Sequence, residues 1–250
     1  MKRVVGYMLL AAFWLGACAP VKPAGEPAGV PEKGIGAAPD VQFGRACTPA
    51  EAKDFLQQAG DDPAAAFRGA ACWIYLAEQE QKDTPDRLAA ARKGRQLAVA
   101  AVDAWPKSGL AHYLLAYLTG LVAEGSPLQG LELVPVIERE ALLAARLDPG
   151  IDQGGPERML GELYLRAPGF PVSIGDPAQA TEHYRRAVKL APAYNPNRLG
   201  LVEALLADEQ PAEACRELHE LFRQGFSQVE KEGDWLKALE LQHDLCGRIR

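Results

Sequence analysis

A set of small or groove-filling side chains recurs along this chain at fixed steps, each copy closing on a residue that ends a helix. Ala180, Tyr184, Ala187 and Pro192 are separated by four, three and five positions. The same steps join Gly94, Ala98, Ala101 and Pro106, and again Ile137, Ala141, Ala144 and Pro149. A fourth copy runs through Ala214, Leu218 and Leu221 and closes on Phe226 instead of proline. Steps of four and three put side chains on one face of an α-helix. Small residues there admit a neighbouring helix, and proline then stops the element. The closing positions lie 43 residues apart from Pro106 to Pro149 and from Pro149 to Pro192, then 34 apart to Phe226. One such unit cannot bury its apolar face alone, so the pattern predicts helix pairs stacked in a line.

The upstream half of each unit agrees. Leu160-Gly161-x-x-Tyr164 has counterparts in Leu201, Val202 and Leu205, and in Leu115, Ala116 and Thr119. This stretch resembles the Leu-Gly-x-x-Tyr signature of tetratricopeptide repeats, in which glycine allows a close helix crossing and tyrosine fills the groove. Helix starts are marked independently. Thr48-Pro49-Ala50-Glu51 reads as a capping box with proline at the first helical position. Asp62-Pro63, Thr84-Pro85, Ser126-Pro127 and Asp176-Pro177 repeat the device, the last completed by Gln179; Gly155-Pro156 and Gln210-Pro211 are weaker versions. The expected fold is all-α: a tetratricopeptide-like α-solenoid of about four helix pairs over residues 46–250. A terminal helix near 234–250 would cap the last pair through Trp235, Leu236, Leu239 and Leu245.

The amino terminus reads differently. Met1-Lys2-Arg3 precedes an apolar run from Val4 to Leu15, too short to cross a bilayer. A basic start, a short apolar middle and a small-residue exit describe a secretory signal peptide over residues 1–17. The exit Leu15-Gly16-Ala17-Cys18 resembles the lipobox of bacterial lipoproteins, which implies acylation of Cys18. Ala19 after that cysteine, in the same resemblance, leans towards the outer membrane. Residues 18–45, rich in Pro, Gly and Ala, cannot bury enough surface to offset their ordering entropy and read as a flexible tether. The net charge of −6 argues against nucleic acid and against charge-driven binding to anionic lipid.

Besides Cys18, an even set remains in an oxidising compartment: Cys47, Cys72, Cys215 and Cys246. Three pairings are open. Local pairing, 47 with 72 and 215 with 246, would staple both ends of a stack that otherwise frays; buried free thiols are the alternative. No zinc-type spacing occurs, and no metal or cofactor is expected.

The third unit carries an insertion, Arg166 to Asp176, with Pro168, Gly169, Pro171 and Gly175 ruling out helix. Phe170, Val172 and Ile174 are too apolar for an idle surface loop. The preferred reading folds the loop back over its own helices; the other makes Pro168, Phe170, Val172, Ile174 and Tyr164 part of a binding surface. A second insertion, Glu124 to Leu128, is expected to project at the same edge. The run Gly154 to Tyr164, then Ala167-Pro168-Gly169 and Ile174-Gly175-Asp176-Pro177, resembles the TatT-type periplasmic lipoproteins associated with tripartite ATP-independent transporters. That likeness implies a superhelix, sometimes with an axial channel, that meets a solute-binding protein.

Functional expectations follow in order. The first is a scaffold gripping an envelope protein in a helical groove. The second is a carrier with an axial channel for a small apolar ligand. An enzyme comes last. His112, His183, His219 and His243 are scattered and read as solvated or core-edge residues. No nucleophile elbow or phosphate loop appears. Glu138, Glu140 and Glu162 are expected to face water.

Overall fold

The computed structural model describes residues 37–225 and 232–246. The signal peptide, Cys18, the tether up to residue 36, and Phe226 lie outside the described residues. Among the described residues ten helices follow one another: α1 (Pro49–Gln58), α2 (Pro63–Gln79), α3 (Pro85–Ala104), α4 (Gly109–Glu124), α5 (Pro127–Leu147), α6 (Gly155–Arg166), α7 (Pro177–Leu190), α8 (Asn195–Ala207), α9 (Pro211–Gln224) and α10 (Glu232–Leu241). A 3-10 turn (Ile151–Gln153) precedes α6, and a π-helical turn (Gln242–Cys246) follows α10. No strand occurs among the described residues.

The starts form for the reasons legible in the sequence. Thr48 accepts from the Glu51 amide while the Glu51 carboxylate accepts from the Thr48 amide, closing a capping box. Asp62, Thr84 and Asp176 cap α2, α3 and α7 through their side chains, and Gln179 also donates to Asp176. Ser126 and Gln210 make no such bond; proline in the first turn sets the backbone there. Two of the nine starts up to α9 carry none of these marks. α4 is capped by Ser108, whose hydroxyl accepts from the Ala111 amide, and α8 begins at Asn195-Pro196. Both follow a helix-ending proline so closely that stop and start share one turn.

The helices pair as α2/α3, α4/α5, α6/α7 and α8/α9, with α1 packed on α2 and the chain end packed on α8 and α9. This is the all-α solenoid expected. The first helices of successive pairs touch (α2 with α4, α4 with α6, α6 with α8), while the second helices make no comparable contact. The stack therefore curves with its first helices inside. The repeat positions on the helix faces are buried: Ala98, Ala101, Ile137, Ala141, Ala144, Leu160, Ala180, Tyr184, Ala187, Ala214, Leu218 and Leu221 are at most 4% exposed. Glycines make the close crossings. A Cβ at Gly94 would lie 2.6 Å from Leu118 and 2.7 Å from Trp73. Gly161 and Gly200, on neighbouring first helices, press on opposite edges of the Tyr184 ring, where a Cβ would sit 2.6 and 2.1 Å away.

Two expectations are corrected. The second unit has no projecting insertion. Its extra length lies in the helices, α4 with 16 residues and α5 with 21, against 12 and 14 for α6 and α7. Glu124 to Leu128 is only a tight turn, with Gly125 against Leu88. The folded unit also reaches back before residue 46, since Val41 and Phe43 pack on the first core. Phe43 meets the rings of Tyr113 and Tyr117 at 5.2 and 5.7 Å. Tyr117 lies near Glu78 of α2 and Arg158 of α6, so these rings fill the inside of the curve.

Candidate functional site

The α6–α7 loop is pinned and carries its apolar side chains outward. The Gly175 amide donates to the Pro168 carbonyl at 2.8 Å, and the Asp176 amide to the Tyr164 carbonyl at 2.9 Å. Gly169 and Gly175 form an isolated bridge, and the Phe170-Pro171 peptide is cis. Phe170 is 93% exposed and Val172 66%. The preferred expectation, that these side chains fold back on their own helices, is therefore wrong for both. It holds for Ile174, which is half-buried against the second core. The backbone closes on itself too tightly for the tip to bend inward. Pro168 is exposed beside them. Tyr164 does not belong to this surface. It is buried, stacks on His183 with ring centroids 5.3 Å apart, and donates to Glu138 at 2.5 Å. Burial, reinforced by that carboxylate, pushes its phenol well above the usual value.

A second set of residues went unread. His112 of α4 lies 2.6 Å from Glu140 of α5, and both are buried. Glu157 of α6 lies 2.7 Å from His183 of α7, again buried. Arg198 of α8 pairs with Glu217 of α9. In repeat register these are the same two positions: three residues before Leu115, Leu160 and Leu201, and three after Ile137, Ala180 and Ala214. The partners are transposed between the second and third units, and arginine replaces histidine in the fourth. The first unit has Leu97 in the second-helix position, close against Gly69 of α2. Burial by itself would raise the Glu140 carboxyl, but the hydrogen bonds from His112 and Arg139 outweigh it and hold it below the usual range. Glu157 is held down in the same way by His183 and Arg186. Glu140 therefore does not face water as expected. Glu162 is exposed as expected and Glu138 is half-buried; they accept hydrogen bonds from the phenols of Tyr184 and Tyr164 respectively.

A buried polar knot joins successive first helices. Asp152, Gln153 and Gly154 all adopt left-handed backbone, with φ of 46°, 56° and 83°. Asp152 accepts from Tyr113 at 2.7 Å and from Arg158. Arg158 also donates to Asn197 at 2.9 Å, and Asn197 donates to the Gln153 and Ala187 carbonyls. These contacts link α4, α6 and α8 across the turn.

Both end staples are present as local pairs. Cys47 binds Cys72 and Cys215 binds Cys246, with Cα atoms 5.4 and 5.5 Å apart, within the ordinary disulfide range. His219 lies 3.9 Å from the Cys215 sulfur, so Cys215, His219 and Cys246 form the one described cluster with metal-ligand groups in reach of each other. Two of its three ligands are spent on the disulfide.

A crevice of about 560 Å³ opens between α3 and α5, where the second helices splay. Arg92, Arg95, Gln96 and Val99 line one wall, Gln129 and Leu133 the other, with Val122 as floor and Glu132 at the margin. No helix among the described residues is long and apolar enough to cross a membrane. No protein-family model matches the chain, and no curated protein matches it.

Proposed function

We propose that this chain is a lipid-anchored interaction scaffold of the bacterial envelope, facing the periplasm, that captures a protein partner through the α6–α7 loop. The reading rests on one observation above others: Phe170 stands 93% exposed at the tip of a loop whose backbone is closed by its own hydrogen bonds. Leaving a large apolar side chain in water forgoes about 1.5–3 kcal/mol of burial. A pinned tip presenting Phe170 and Val172 together suits a surface covered in a complex. The lipobox resemblance at Cys18 supplies the anchor and the tether supplies reach, with the outer membrane as the favoured site. The resemblance to TatT-type lipoproteins makes a transporter solute-binding protein the first partner to test.

The carrier reading draws less support, because Phe43, Tyr113 and Tyr117 occupy the inside of the curve where an axial channel would pass. An enzymatic role draws little: the buried histidines His112 and His183 are already engaged with carboxylates inside helix pairs.

The test is capture from solubilised envelope with the wild-type chain and with Phe170→Asp plus Val172→Asp. The wild type is expected to retain a partner that the double variant loses at unchanged melting temperature. Equal recovery by both would remove the loop from the interface.

A further inference from the structure

We propose that the crevice between α3 and α5 binds a small organic monocarboxylate, its acid group on Arg95 and Arg92 and its apolar body against Val99, Val122 and Leu133. This site is separate from the α6–α7 loop and does not depend on the partner reading. The two arginines are unusual in this molecule. Among the described residues, only Arg92, Arg95 and Arg146 lack an ion pair with a carboxylate; every other arginine has one. Two of those three line the same crevice.

Arg95 is also set in place. Its Nε donates to the Thr119 hydroxyl at 3.1 Å, and that hydroxyl donates to the Leu115 carbonyl at 2.6 Å. Thr119 is fully buried, so the bond fixes one edge of a half-buried guanidinium. Its two terminal nitrogens make no hydrogen bond of their own, which leaves the fork that matches a carboxylate with two parallel bonds. Arg92 donates from Nη2 to the Ser126 hydroxyl at 3.1 Å, a neutral partner that leaves its charge uncompensated. Gln96 and Gln129 add amide groups on opposite walls.

The remaining lining selects the class of anion. Val99 is 40% exposed, Val122 forms an apolar floor, and Leu133 is half-buried on the facing helix. Glu132 on the same rim leaves the lining with a net charge of about one positive unit, which suits a monoanion and opposes a dianion. A crevice of this size holds a ligand of a dozen or so heavy atoms.

The probe is 3-phenylpropionate, with neutral 3-phenylpropionamide as its isostere, titrated against the full-length chain at low salt by calorimetry and ligand-observed NMR. The carboxylate is expected to bind at least about tenfold more tightly than the amide. Arg95→Gln is expected to weaken it by about tenfold or more, and raised salt to weaken it further. Arg92→Gln, at an exposed position, gives a second reading free of folding effects, and Glu132→Gln is expected to tighten binding. Arg146→Gln, the unpaired arginine outside the crevice, is expected to change nothing. Equal affinity for acid and amide, undiminished binding in both Arg92→Gln and Arg95→Gln, or no binding of the acid at millimolar concentration would overturn the assignment.

Discussion

Glu157 sits between His183 at 2.7 Å and Arg186 at 3.0 Å, in a buried helix interface. Removing one member of such a buried pair strands the other, which costs about 3–5 kcal/mol in well-buried cases. Glu157→Gln is accordingly expected to lower stability by a few kcal/mol in urea unfolding. The transposition between units suggests a sharper experiment. Exchanging the partners, Glu157→His with His183→Glu, is expected to recover most of the loss, since His112 and Glu140 already show that orientation in the unit before. No recovery would mean that Arg186, not the repeat position, decides the order. The acid limb follows from the same residues. Glu140 and Glu157 titrate below the usual range in the fold, so they bind fewer protons folded than unfolded. Their contribution is complete above the ordinary glutamate pKa near 4.3 and drains away as pH falls through the depressed folded values. Glu140→Gln is expected to flatten the loss of melting temperature on acidification below that point. Gly200→Ala tests packing instead, with a cost of about 1–3 kcal/mol because the Tyr184 ring cannot retreat from a new methyl group.

At the scale of elements, the α6–α7 loop separates into two kinds of apolar residue. Ile174 packs on the second core while Phe170 and Val172 do not. Ile174→Asp is expected to destabilise the fold measurably, and Phe170→Asp to leave the thermal midpoint within about a degree or two, as for other exposed positions. A large destabilisation by Phe170→Asp would show that the tip folds inward in solution. Helix α5 carries Pro135 within its span, at a position with no amide to donate to the preceding turn. Proline disfavours a helix interior, yet Ile137, Ala141 and Ala144 hold the helix together by burying one face against α4. Tertiary burial outweighs local propensity there.

The whole molecule is a linear stack, and linear stacks open from their ends. The two disulfides tie the segment leading into α1 to α2, and the π-helical turn after α10 to α9, at the first and last described joints. Reduction is expected to leave the α4 to α7 amides protected in hydrogen exchange while α1 and α10 lose protection first. Uniform loss of protection would contradict a repeat-by-repeat architecture. The proposed membrane anchor is tested at this scale too: Cys18→Ser is expected to move the chain from the membrane fraction to the soluble one.

Much of this architecture was legible in the chain itself. Helix starts, the stops at Pro106, Pro149 and Pro192, and the phase of Ala98, Ala141 and Ala187 are local or periodic properties, set by backbone sterics and a 3.6-residue turn. They determined an all-α stack and its four pairs without reference to distant contacts. The buried ties were written there as well, at fixed offsets from the repeat, but a histidine or glutamate has the same side chain in water as in an interface. Only the packed neighbours distinguish Glu140, at 3% exposure, from an ordinary surface acid. The tertiary structure alone decided that Phe170 faces outward and that Arg92 and Arg95 are left without an ion-paired carboxylate. Those outcomes depend on which surfaces remain uncovered after every pair has stacked, a property of the assembled whole and of no segment within it.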